Sequence, residues 1–372
     1  MKKRLLAVIL SLMLLGSFAL FAACETTGGD TNGGKIEGDY TEATDEELNE
    51  AVASIDFTKL FGDTSAEDWK FGLSLNAKAD IEESMDVDGS TYTGTASATV
   101  KYDFTAEKGT DAAFPFELKG AGEGEGKITD YIADEEASGE STEELSLKKV
   151  EYTASAKAYN DSDYFYLDPA VTIDGEKQES ISATRFAISD ILYELGLGGS
   201  IDAVLPDEDG TIMTGLSAMS ALPGTGSDSA ENPLPQVIAM LKQFGCKFGI
   251  DTSDGVKIRV TADKAAIENI LNMALAGQLP SSVTAASFAI SEDAMIEVYA
   301  AVAADGMFSG IAVNVNLGAT IPQAVTGAPF AITVNANVEL SLVYDGDLTV
   351  SLEGLNPDDY DDAGSNDNPV VG

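Results

Sequence analysis

The chain has 372 residues, with 63 acidic against 21 basic side chains, no histidine and two cysteines. A formal charge of −42 repels nucleic acid and other polyanions, which excludes nucleic-acid binding. The missing histidine removes Ser-His and Cys-His nucleophiles and His-ligated metals, and two cysteines cannot make a disulfide framework.

At the N-terminus Lys2, Lys3 and Arg4 precede the apolar run Leu5 to Leu20, and Phe21-Ala22-Ala23-Cys24 follows. This segment resembles the lipobox of bacterial lipoproteins. The resemblance implies a signal peptide over 1–23, cleavage before Cys24, and acylation of Cys24 by chains such as palmitate. It also implies a lipid-anchored location on the extracytoplasmic face of the cell membrane. An uncleaved membrane span or a plain secretory signal would account for the apolar run, but not for a Cys behind two small residues. Without the signal the charge becomes 18 − 63 = −45. Residues 24–43 read as the lipidated Cys and a flexible tether rich in Gly, Thr and Asp. As a coil, Glu25 to Tyr40 would reach roughly 20–24 Å.

Thr44 and Glu47 stand at capping-box spacing ahead of Leu48, Val52 and Ile55, which predicts a helix over 44–53. From Phe71 the period changes to two. Phe71, Leu73, Leu75, Ala77, Ala79 and Ile81 alternate with polar residues, as do Tyr92, Gly94, Ala96, Ala98, Val100, Tyr102 and Phe104. The same alternation marks strands at 150–158, 256–260, 296–302, 311–321, 330–342 and 348–352. Apolar residues at helical spacing predict helices near 184–196, 234–244 and 263–276. Asp-Gly occurs six times, at 88–89, 174–175, 209–210, 254–255, 305–306 and 345–346, and most of these pairs sit between or beside alternating runs, where type I′ hairpin turns belong. Residues 120–144 read as a flexible acidic insert, 222–233 as a loop, and 357–372 as a disordered acidic tail.

One-sided strands with few helices predict an α+β fold: a long, strongly twisted antiparallel β-meander with helices covering its apolar face, as one domain over 44–356. Tyr164-Phe165-Tyr166-Leu167-Asp168, and Gly255 to Thr261 leading into the third predicted helix, are similar to stretches of the LolA-like half-barrel lipoproteins. That group includes lipoprotein carriers and LppX-type lipid-binding lipoproteins. The resemblance implies a half-barrel that takes up a lipid-like ligand near the membrane.

The apolar face of the first strands is built from small residues: Ala77, Ala79, Gly94, Ala96, Ala98, Ala154, Ala156 and Ala158. Space above them must be filled. Two fillings stay open, a helix packed close (44–53 or 184–196) or an apolar ligand in a cavity. No calcium loop fits the Asp-Gly pairs, and the single Trp69 argues against a sugar site. The expected molecule is a monomer without catalytic residues, cofactor or metal, whose partners are the membrane and an apolar ligand. The alternative is a non-catalytic structural or interaction module of the cell envelope. Cys246, without a partner, reads as a small buried apolar side chain.

Overall fold

The computed structural model describes residues 35–55, 69–87, 90–108, 116–133, 147–179, 181–188, 190, 234–274, 287–321, 330–344 and 348–363. Cys24, the expected loop 222–233 and tail residues 364–372 lie outside them.

One sheet dominates. Its strands in chain order are β1 (Thr41–Glu42), β2 (Lys70–Val87), β3 (Ser90–Lys108), β4 (Phe116–Ala133), β5 (Leu147–Asn160), β6 (Tyr164–Ile173), β7 (Glu176–Lys177) and β8 (Thr184–Ala187). They continue as β9 (Lys247–Asp251), β10 (Val256–Asp263), β11 (Ala289–Ile290), β12 (Met295–Val302), β13 (Phe308–Ile321), β14 (Phe330–Tyr344) and β15 (Asp361–Asp362). The order across the sheet is β1-β9-β10-β12-β13-β14-β2-β3-β4-β5-β6-β8-β15, with β11 beside β13 and β7 beside β6. Every described pairing is antiparallel except β15 with β8. Two meanders, β2 to β8 and β9 to β14, join where β14 pairs β2 from Phe330↔Met85 to Tyr344↔Phe71.

Cross-strand partners share a face, so registers convert the alternation into two surfaces. On the apolar face Phe248, Val260, Val298, Val313, Val338 and Ala77 follow one another from β9 to β2. Three helices cover this face over the C-terminal meander: α1 (Asp45–Ala53), α2 (Leu234–Gln243) and α3 (Lys264–Ala274). Leu48 and Val52 of α1, Ile238 and Leu241 of α2, and Ile267 and Leu271 of α3 pack with Phe248, Ile250, Leu317 and Ile332. Cys246 is buried in the same cluster and unpaired, and burial pushes its thiol pKa up. Thr44 caps α1 through the expected box: its hydroxyl accepts from Glu47 N, and Glu47 Oε2 accepts from Thr44 N at 2.9 Å. Trp69 is buried against Phe71, Ala106, Leu118 and Ile188, where β2 begins.

Five expectations are corrected. Residues 120–133 are not a flexible insert but most of β4, hydrogen-bonded between β3 and β5; 134–144 lie outside the described residues. Of the helix expected over 184–196, residues 184–187 form β8 instead, because Tyr164 to Leu167 offer their backbone an edge to pair with; Ile188 and Asp190 are helical, and 189 and 191–196 lie outside the described residues. No strand forms at 348–352; Leu348 lies over Gly72 on the polar face. Tail residues 357–363 are ordered: Tyr360 packs edge-on against Tyr166 with centroids 5.1 Å apart, and Asp362 grips Arg185 at 2.6 Å. Of the expected tether, residues 35–43 lie along the sheet, with Thr41↔Ile250 in register. Among the described Asp-Gly pairs only Asp174-Gly175 has both φ positive, as a type I′ turn requires. Asp305-Gly306 closes the β12–β13 hairpin with a positive φ at Gly306 alone.

Candidate functional site

The eight small residues come together on the apolar face of β2, β3 and β5, and β4 supplies the floor between them. One transverse row reads Ala336, Ala79, Ala98, Gly126, Ala154 and Val171 from β14 to β6. The next reads Val338, Ala77, Val100, Gly124, Ala156 and Pro169. At normal strand spacing each row spans roughly 24 Å. No described helix lies over these rows: α1 packs on β9 and the C-terminal core, 184–187 is an edge strand, and residues 189 and 191–196 of the other expected helix lie outside the described residues.

The floor is bare in its middle. Ala98 and Ala154 are exposed, Val100 is 40% exposed and Ile128 is 49% exposed. Ala77, Ala79, Ala96, Ala156 and Ala158 are half-buried. Gly94 differs, since the Glu83 side chain lies over it and a Cβ there would sit 3.0 Å from Glu83 Oε1. The four β4 glycines divide into two kinds. A methyl on Gly120 would overlap the Asn160 amide oxygen and the Tyr102 hydroxyl, and one on Gly122 would overlap the Tyr102 ring. A methyl on Gly124 or Gly126 would meet nothing closer than 3.4 Å. Tyr102 therefore fills one end of the strip, and its hydroxyl donates to Asn160 Oδ1 at 2.5 Å. Burial raises the Tyr102 pKa, so that hydroxyl stays a donor.

Charge brackets the other end. Glu83, half-buried on this face, has its pKa raised by burial and by the nearby Asp130 carboxylate. Between Glu83 and Tyr102 the described lining is hydrocarbon and backbone except for Tyr152, partly buried in the row of Ile128. What these described residues offer is a wide, shallow contact for an apolar body. Among the described residues no three acidic or Cys side chains converge closely enough to hold a metal ion.

The polar face is more covered. Residues 348–362 cross it: Leu348 lies on Gly72, Gly354 lies near Tyr159, and Asp361 pairs with Thr184 at the far edge. A shallow depression of about 300 Å³ remains on that face between Asp80, Glu82, Thr95, Ser97, Thr333 and Asn335. Nearer the first edge lie two buried carboxylates, Glu297 and Glu339, and burial pushes the Glu339 pKa up to about 7.

Gly122, Gly124, Gly126, Ile128 and Ala336 belong to the strip although sequence reasoning did not single them out. The signal was present: Gly120, Gly122, Gly124 and Gly126 alternate with Ala121, Glu123, Glu125 and Lys127. A glycine–acid composition masked a period of two.

No protein-family model and no curated protein matches the chain. Among solved structures, the translocator domain of autotransporter NalP from Neisseria meningitidis aligns at 6% identity over 80% of this chain and 93% of that one, with a TM-score of 0.14. At that score the likeness carries no argument about fold or function.

Proposed function

We propose that this chain is a lipoprotein, lipid-anchored through Cys24 on the extracytoplasmic face of the membrane, that binds or carries an apolar, lipid-like ligand. In this reading its sheet is a half-barrel of the LolA-like kind, and the ligand lies along Ala79, Ala98, Gly124, Gly126, Ala154 and Ala156. One observation carries the proposal: an apolar strip with Val100 40% and Ile128 49% exposed interrupts an otherwise packed apolar face. Contiguous exposed apolar surface marks binding sites more often than idle surface. Small side chains also let a hydrocarbon chain approach the backbone along its length. Each methylene removed from water contributes about 0.8 kcal/mol, so micromolar binding, about 8 kcal/mol, needs roughly ten or more of them buried.

The test is native mass spectrometry of the full chain recovered gently from membranes. The expected spectrum carries adducts of lipid mass that disappear in Gly126→Phe. A clean apo spectrum, with no binding of an apolar dye, refutes ligand binding. That outcome would favour the second reading, an envelope interaction module, for which the polar-face depression at Asp80, Glu82 and Asn335 is the supporting feature.

A further inference from the structure

The N-terminal segment wraps one edge of the sheet. Residues 35–40 lie on the polar face, β1 pairs with the edge strand β9, and α1 then covers the apolar face with Leu48 and Val52. The contacts on the polar face are many and specific. Tyr40 stacks edge-on against Tyr299 with centroids 5.7 Å apart, and the Arg259 guanidinium lies over the Tyr40 ring at 5.2 Å. Asp39 N donates to Asp251 Oδ2 at 3.1 Å, and Lys257 Nζ donates to Glu37 O at 3.2 Å. Lys35 reaches Glu297 on β12 at 3.8 Å, and Glu297 is only 6% exposed. Two glycines admit the segment: a Cβ on Gly249 would stand 3.3 Å from Tyr40 Cβ, and one on Gly38 would stand 2.7 Å from Asp251 Oδ2.

The Asp251 carboxyl is held down to about 2, chiefly by the Ser253 hydroxyl and amide, with the Asp39 amide and Lys257 adding to them, so it stays an anionic acceptor. Burial of Glu297 and of the Arg259 Nε atom is otherwise unfavourable. Their enclosure under Tyr40 and Lys35 makes sense as a seat for this segment.

We propose that residues 35–42 are a clamp that fixes the exit of the lipid tether on the polar face of the sheet, over β12. The anchored protein then turns its polar face to its own bilayer and its apolar strip away from it. This inference rests on the anchor reading of Cys24. Eleven Cα steps separate Cys24 from Lys35, which span at most roughly 36–40 Å, so the bilayer lies within that reach of Glu297. A ligand on the strip is accordingly exchanged with the compartment opposite the anchoring membrane.

Ser97 and Ala98 report the orientation, because they are consecutive, exposed, and on opposite faces of β3. Full-length chain, expressed with its own leader in a Cys246→Ser background, is labelled at Ser97→Cys or at Ala98→Cys. It is reconstituted in phosphatidylcholine vesicles carrying a headgroup acceptor. The Ser97 label is expected to transfer about twofold or more energy than the Ala98 label, across a face-to-face separation of roughly 10 Å. Adding Lys35→Ala and Tyr40→Ala should abolish the difference. Equal or reversed transfer in the parent chain overturns the orientation, and so does a difference that survives the double substitution. Amide exchange separates the two layers of the argument. The Asp39 and Ala43 amides should be protected with or without vesicles, and free exchange there overturns the clamp. Vesicle binding by a Cys24→Ser chain overturns the anchor, and with it the orientation, while the clamp still stands or falls by exchange.

Discussion

The β4 glycines permit a test in which one substitution, made along one strand, changes sign. Glycine in a strand interior is destabilising by about 0.5–1 kcal/mol relative to alanine, mainly through the entropy of the unfolded chain. At Gly124 and Gly126 a methyl meets nothing closer than 3.4 Å, so Gly124→Ala and Gly126→Ala should each stabilise by about 0.5–1 kcal/mol. At Gly120 the methyl occupies the place of the Tyr102 hydroxyl and the Asn160 amide oxygen. Their hydrogen bond breaks, and Asn160, 4% exposed, keeps a buried acceptor without this donor. The lost bond and the desolvated oxygen together cost about 2–4 kcal/mol, which outweighs the entropic gain. Net destabilisation of about 1–3 kcal/mol is expected. Urea unfolding with an unchanged slope should place Gly120→Ala roughly 1 M below Gly124→Ala in midpoint. If the three variants agree within about 0.5 kcal/mol, Tyr102 does not lie across β4 and the reasoning fails.

Three further outcomes follow from other parts of the molecule. Gly126→Phe should leave the urea midpoint nearly unchanged while removing apolar-dye binding; parallel loss of stability and binding would mean that the strip is core, not site. Thr44→Ala should lower stability by about 1 kcal/mol through loss of the α1 cap, and Thr44→Ser should restore most of it, as thermal unfolding would reveal. Glu339 carries a pH dependence. Its folded pKa of about 7 lies above the ordinary 4.5, so its contribution is fully present below pH 4.5 and is lost as pH rises through about 7. Glu339→Gln should flatten the fall in stability between those values, and an unaltered profile would assign that fall to another group.

Much of the fold was legible because period-two alternation survives wherever one sheet face is wet. Phe71 to Ile81, Tyr92 to Phe104 and Phe330 to Leu342 became β2, β3 and β14 with the expected faces. The Thr44–Glu47 box was readable because a cap is satisfied within four residues. Failures came where partners are distant in sequence. Phe186 fits a helix until β6 offers an edge, and Tyr360 looks solvated until Tyr166 is beside it. Gly120 to Lys127 resembled a disordered insert because composition was weighted above periodicity.

For the site, the small side chains of Ala77, Ala79, Ala96, Ala98, Ala154, Ala156 and Ala158 could be singled out from sequence, since residue size and period are local properties. Their convergence depended on registers such as Ala79↔Ala98 and Gly126↔Ala154, set by hairpins whose turns do not name their partners. Whether the strip was covered depended on where the helices went. The three described helices α1, α2 and α3 pack over the C-terminal meander, where bulky Ile, Val and Leu give them more area to bury than alanine can. Sequence by itself determined the strongly acidic charge, the absence of histidine chemistry and the alternating strands. Only tertiary structure decided which face stays bare and on which face the N-terminal segment is held, because both follow from contacts between residues some 200 positions apart, such as Asp39 with Asp251.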